Sequence, residues 1–244
     1  MKNYTGLLTK KVTNILNKIS VNEKAKILSA ARYIAESYFN NGKLFLFGTG
    51  HNHCLAEEAL HRAGGFANAC PILDKKIDFT EGIKKASKFE RTTGIATSIL
   101  KKYNLQKNDM LIIFSNSGVN KAPIEAAEFA KKKGLKVITI VSIKYSKSIN
   151  TSPINKKLYN IADISIDNKS PIGDSLIKIA NNINIGSSST IAGAFILNAI
   201  FIELANLLKN EKPFPFYLSS NLKGANAHNK KLEKKFRKRN KFLQ

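Results

Sequence analysis

Apolar residues in this chain follow two periods, and the switches between them outline the fold. At residues 4–18 and 21–41 they recur at spacings of three and four: Leu7, Val12, Ile15 and Ile19, then Ala25, Ile27, Ala30, Ile34 and Tyr38. That spacing predicts two amphipathic helices, the second stopped by Asn40-Asn41-Gly42. Five short apolar runs follow, at 43–48, 66–73, 109–118, 135–142 and 162–167. Between and after them lie helical patterns at 51–63, closed by Gly64 and Gly65, at 120–134, closed by Gly134, and at 188–209. Residues 88–103 are amphipathic, residues 74–87 are polar and irregular, and residues 146–156 form a polar loop.

Strands that alternate with helices of ten or more residues predict a parallel sheet covered on both faces. The runs are continuously apolar rather than alternating, as buried parallel strands are. The expected fold class is therefore α/β, with three layers and a five-stranded parallel sheet. The expected organisation is an N-terminal helical extension (1–42) packed on the main domain (43–220), then a basic helical tail (221–244).

Composition adds little to this picture except at the end of the chain. The 244 residues hold 40 Lys and Arg against 17 Asp and Glu, a formal charge of +23. Charge of this size suggests a nucleic-acid or anionic-membrane partner. A general richness in Lys, Asn and Ile explains most of it as compositional bias. The segment KKLEKKFRKRNK (230–241) is more concentrated, with eight Lys or Arg and one Glu. It is expected to be a solvated helix that Leu232, Phe236 and Phe242 fasten to the body or to a partner subunit. Cys54 and Cys70 are too few for a disulfide framework and are expected to be reduced, packed thiols. The N-terminus lacks an apolar leader region. The longest apolar stretch, 191–205, is interrupted by Asn198 and Glu203 and is too short to span a bilayer. A cytoplasmic protein is expected, with neither membrane nor nucleic acid as partner.

In an open parallel sheet, ligands bind beyond the carboxyl ends of the strands. Three turns there are rich in Gly, Ser, Thr and Asn, and each opens a helix: Gly48-Thr49-Gly50-His51-Asn52, Ser115-Asn116-Ser117-Gly118-Val119-Asn120, and Gly186-Ser187-Ser188-Ser189-Thr190. Helix N-termini offer unpaired N–H groups and a positive partial charge, and small hydroxyl and amide side chains add donors. Together they make an anion cage, although Ser and Asn at a helix start also serve as ordinary caps. No G-x-x-x-x-G-K-[ST] loop is present, and the first turn lacks the third glycine of a dinucleotide fingerprint.

FGTGHNH…EE…RAGG, followed by PIL and then by IIFSNSGVNKAPIEAAEFAKKKGLKVITI, resembles the SIS (sugar isomerase) domain family. KASKFER (85–91), KLYNIADISID (157–167), SSTIAGAFILNAI (188–200) and His228-Asn229 extend the resemblance to nearly the whole chain, closest to a group of uncharacterised bacterial single-domain proteins. It implies a three-layer fold, dimers or higher homo-oligomers, and a phosphosugar held at the turns above. Ser115, Asn116, Ser117 and Asn120 match the phosphate loop, with Asn120 in place of the usual hydroxyl. Asn52 stands where many relatives place Ser.

An aldose–ketose isomerase needs a base to move a proton between C1 and C2, and a second group to open the ring. Glu57 and Glu90 are the candidate bases, with His61 and His228 as candidate proton donors. His53, Glu57 and His61 follow at spacing four and are expected to share one helical face. Their spacing offers no Cys partner for zinc, and neither metal nor cofactor is expected. The 188–209 helix lacks the His that phosphoheptose-type relatives carry there. Its start is loosely similar to the N-acetylmuramic acid 6-phosphate etherase branch, and the fold also serves non-catalytic phosphosugar sensors. Those two alternatives stand beside the isomerase expectation.

Overall fold

The computed structural model describes residues 2–150 and 156–243. Part of the expected 146–156 loop, residues 151–155, lies outside them. Helices α1 (Tyr4–Asn22) and α2 (Lys24–Phe39) precede β1 (Leu44–Gly48). A short 3-10 turn leads into α3 (His53–Glu58), and then come β2 (Ala69–Pro71), α4 (Ile83–Glu90), α5 (Ile95–Leu100) and β3 (Met110–Phe114). Next are α6 (Lys121–Lys132), β4 (Lys136–Val141), α7 (Ile143–Ser148), α8 (Leu158–Ile161) and β5 (Ile164–Asp167). A hairpin of β6 (Ser175–Ala180) and β7 (Ile183–Ser187) precedes α9 (Ser189–Leu207) and α10 (Ala225–Phe236).

β1 to β5 form one parallel sheet in the order β2-β1-β3-β4-β5. The five expected strands are all present, and the continuous apolar runs have their cause in two buried faces. Leu44, Leu46, Met110, Ile112 and Phe114 face a core built with α1, α2, α3 and α9. Phe45, Phe47, Leu111, Ile113 and Val137 face the opposite core, built with α5, α6 and α8. Successive strand residues alternate between these layers, so every position must be apolar. In this order the chain reverses direction across the sheet between β1 and β3, which opens a crevice at their carboxyl ends.

Three expectations are corrected. The 51–63 helix ends at Glu58. Beyond it the chain is drawn into pairing with 215–217: Gly64 N–H donates to Tyr217 O (2.8 Å), Tyr217 N–H to Gly65 O (3.0 Å), and Ala67 N–H to Pro215 O (2.9 Å). His61 accordingly adopts a left-handed φ of 42°. The β6–β7 hairpin was not expected, and it absorbs Gly186 and Ser187, which were read as a turn. At 19 residues, α9 is long and apolar enough to cross a membrane by length and composition, unlike the shorter stretch read from sequence. Here it is a packed helix whose Ala192, Ile196, Leu197, Ile200 and Leu204 are buried against the sheet core.

The basic tail is fastened to the body, as its apolar residues predict. Leu232 and Phe236 are buried with Ala67 and Tyr217. Each such side chain contributes about 2 kcal/mol through the area it removes from water. Beyond α10, Arg239 Nη1 donates to the fully buried Asp109 carboxylate (2.7 Å), and Asn240 Nδ2 to Ala69 O (3.2 Å). The tail therefore crosses the amino ends of the central strands.

Candidate functional site

A cleft of about 380 Å³ opens where the chain reverses between β1 and β3. The turn after β1 contributes Thr49, Gly50, His51 and Asn52. The turn after β3 contributes Ser115, Asn116, Ser117 and Asn120. Phe79, Ile83 and Glu90 form one lip, and Tyr145 and Asp174 close the other side.

Gly48 does not line the cleft but makes its first turn possible. A Cβ there would stand 2.2 Å from Asn52 O, so the chain can double back only over a glycine. Gly118 plays the same part in the second turn, with φ of 62° and a Cβ position 2.8 Å from Val141 Cγ2. Its N–H donates to Ser115 Oγ (3.3 Å), which folds the turn back on itself.

The three turns that look equivalent in sequence differ in what occupies their helix ends. At α6 the side chain of Asn120 makes no capping bond. The first backbone donors of that 12-residue helix are not satisfied within the helix, and the Asn120 amide is left available. Asn52 likewise makes no side-chain cap at α3. The α9 end is closed by the protein itself. One carboxylate oxygen of Asp174 accepts from Ser189 N–H (2.7 Å) and from Ser188 N–H and Oγ (3.1 Å each), and the other accepts from Ser189 Oγ (2.7 Å). Ser188 and Ser189 are buried, and Ser187, Ser188, Ser189 and Thr190 do not line the cleft. The expectation of a third ligand-binding turn is corrected on that ground, because an internal anion already holds it.

A buried relay joins this closed end to the open one. Asn168 Nδ2 donates to Asn116 Oδ1 (3.0 Å), Ser170 N–H to Asn168 Oδ1 (3.0 Å), and the Ser170 and Ser188 hydroxyl oxygens lie 3.0 Å apart, with Ser188 Oγ free to accept. Asn116 in the β3 turn is thereby held in one orientation by groups from the β5–β6 connection. Sequence inspection missed Asn168, Ser170 and Asp174. The Pro171-Ile172-Gly173-Asp174 stretch has turn chemistry, and the partners of Asp174, Ser188 and Ser189, lie across the β6–β7 hairpin.

Of the acid–base candidates, Glu90 alone lines the cleft. Thr49 Oγ1 donates to its Oε1 at 2.6 Å, which fixes the carboxylate at the β1 turn and leaves its second oxygen for a ligand. Glu57 is exposed and lies 3.3 Å from His53 Nδ1, outside the cleft lining. His61 sits on the far side of the α3 break, where its Nε2 meets Glu233 of α10 at 3.0 Å. His228 is bonded through Nε2 to Phe216 O at 2.9 Å. Neither His61 nor His228 reaches the cleft, and the His53, Glu57 and His61 face dissolves because the helix stops first. The histidine on the cleft is the exposed His51.

The SIS domain profile matches residues 8–142, which include both open turns. A UPF0309 protein of Brucella canis is 40% identical over 220 residues, covering 90% of each chain. In three dimensions the chain is similar to the phosphoheptose isomerase GmhA of Neisseria gonorrhoeae, with a TM-score of 0.62 at 13% identity over 83% of this chain and 97% of that one. It is also similar to an E. coli CFT073 protein solved in complex with a sugar phosphate, with a TM-score of 0.54 at 17% identity over 88% and 97%. On the profile match and the extent of the Brucella relative, the chain belongs to the SIS domain family.

Proposed function

We propose that the protein binds a sugar phosphate in this cleft and interconverts its aldose and ketose forms. The observation that carries the proposal is the open amino end of α6 facing the same space as Glu90. Ser117 Oγ, the Asn120 amide and the first N–H groups of α6 supply neutral donors for a phosphate. A neutral cage suits an anion that must leave after each turnover, and the helix dipole adds to it. Glu90, held by Thr49, acts as the base that carries a proton between C1 and C2. His51 supplies the second titratable group at the ring end. Binding of a sugar phosphate by the E. coli neighbour supports the ligand class.

The test is a panel of hexose, amino-sugar and pentose phosphates, read by thermal stabilisation and by product formation. Stabilisation without product would favour a phosphosugar sensor, and release of lactate from N-acetylmuramic acid 6-phosphate would favour the etherase chemistry. Ser117→Ala is expected to weaken sugar-phosphate binding about ten- to hundredfold, the value of a hydrogen bond to a charged group. An unchanged Kd by calorimetry would remove the phosphate from this turn.

The protein is also proposed to self-associate. Ile191, Ile202 and Leu207 on α9 and Ile179, Ile183 and Ile185 on the hairpin are exposed, and they lie on consecutive elements of the chain. Apolar surface of that kind marks an interface. Sedimentation equilibrium is expected to give a dimer or larger, and Ile202→Glu to lower the mass. A monomeric wild-type protein would overturn this.

A further inference from the structure

A second cavity, of about 560 Å³, is larger than the cleft above and distinct from it. It opens at the amino end of the sheet, between the end of α2 and the C-terminal tail. Lys43, in its wall, directly precedes β1, whose other end forms the Gly48 turn. The two cavities are thus about one strand length, roughly 17 Å, apart.

Charge in this cavity is one-sided. Lys43, Lys235, Lys238 and Arg239 line it against a single carboxylate, Glu211. Glu211 accepts from Tyr38 Oη (3.0 Å), which itself accepts from Lys235 Nζ (3.0 Å). Arg239 is spent on Asp109. Lys43 and Lys238 have no carboxylate partner among the described residues. Lys238 is exposed at the mouth. Lys43 is 3% exposed, and its Nζ donates only to neutral oxygens, Asn68 Oδ1 (3.0 Å) and Phe236 O (3.1 Å).

A buried ammonium without a counter-anion is costly and is uncommon in a folded core. Tethering α10 accounts for the bond to Phe236 O, but it does not require further cations around an open cavity. Tyr38, Phe39 and Phe236 add aromatic wall, and the volume suits a small metabolite.

We propose that this cavity is a second binding site, for a small molecule carrying a phosphate or diphosphate group, with Lys43 at its base and Lys238 at its mouth. The anion supplies the counter-charge that Lys43 lacks, and the aromatic residues pack against the rest of the ligand. Burial pushes the Lys43 ammonium down to about 8, an effect reinforced by Arg239 and opposed by Asp109. A bound anion would reverse it.

The probe is inorganic pyrophosphate, titrated calorimetrically into the full chain at fixed ionic strength. Lys238→Glu is expected to weaken binding at least tenfold. Lys10→Glu, an equal charge change at an exposed position on α1, is expected to weaken it less than twofold. In side-chain NMR of labelled lysine, the Lys43 titration is expected to move upward when pyrophosphate saturates the protein. Equal weakening by the two variants would show only the general attraction of a +23 protein for anions and would overturn the proposal. An unmoved Lys43 titration would overturn it too. Because Lys238 is exposed and unpaired, its variant tests the site without endangering the fold, whereas Lys43→Met would also cut the tether to Phe236 O.

Discussion

Glu90→Gln is expected to lower kcat on the protein's sugar phosphate by about 10²–10⁴-fold while leaving ligand-induced thermal stabilisation in place. The range is the contribution of a positioned general base. Binding survives because the amide keeps the size of the carboxylate and still accepts from Thr49 Oγ1, the bond that places the side chain at the β1 turn. The donors proposed for the phosphate, in the β3 turn, are on other elements and do not depend on it. Thr49→Val removes that hydrogen bond with little change in volume. It is expected to give a smaller loss of kcat, because the base remains but is free to swing. His61→Ala and His228→Ala serve as contrasts. Their partners are Glu233 and Phe216 O, outside the cleft, so turnover should stay near wild type. Steady-state kinetics on one panel of variants decides the matter. A Glu90→Gln protein with full kcat, or a His61→Ala protein with none, would remove Glu90 from the base role.

The parts of this molecule that were legible in sequence are those whose cause is local. Strands buried on both faces must be apolar at every position, so the β1, β3 and β4 segments could be read without knowing their neighbours. The β1 and β3 turns were legible because close backbone approach leaves Gly48 and Gly118 no substitute. The hairpin was legible in principle. Ile177, Ile179, Ile183 and Ile185 alternate about Asn181-Asn182, which is a hairpin pattern. What could not be read was set by distant partners. α3 stops at Glu58 because the next residues pair with 215–217, some 150 residues later, and this alone moves His61 away from the site. The same holds for the α9 turn. Its sequence, Ser-Ser-Ser-Thr, looks as receptive to an anion as Ser115–Asn120. Only the path of the Pro171–Asp174 turn shows that one is filled and the other open.

That asymmetry gives the second large effect. Asp174→Ala removes a carboxylate that accepts four hydrogen bonds at the start of α9 from two buried serines. Hydrogen bonds to a charged group are each worth about 1.5–3 kcal/mol and do not add fully. The expected loss of stability is therefore about 2–4 kcal/mol, read by denaturant unfolding with an unchanged m-value. Asp174 also holds a φ of 70°, which glycine adopts freely. Asp174→Gly loses the same cap but relieves the backbone, and it should be less destabilised than the alanine variant by about 0.5–1 kcal/mol. Function should change in the opposite sense to stability. With its internal anion gone, the α9 end becomes a second phosphate cage beside the first, since Asp174 itself lines the cleft. The wild-type protein should prefer sugar monophosphates, because a second phosphate would meet the Asp174 charge. The alanine variant should gain about ten- to hundredfold in affinity for a sugar bisphosphate, the value of charge-assisted bonds regained by the freed donors, with little change toward the monophosphate. Calorimetry with both ligands measures the ratio. A variant of wild-type stability, or one that keeps the wild-type preference, would mean that Asp174 neither caps α9 in solution nor limits the cleft to one phosphate.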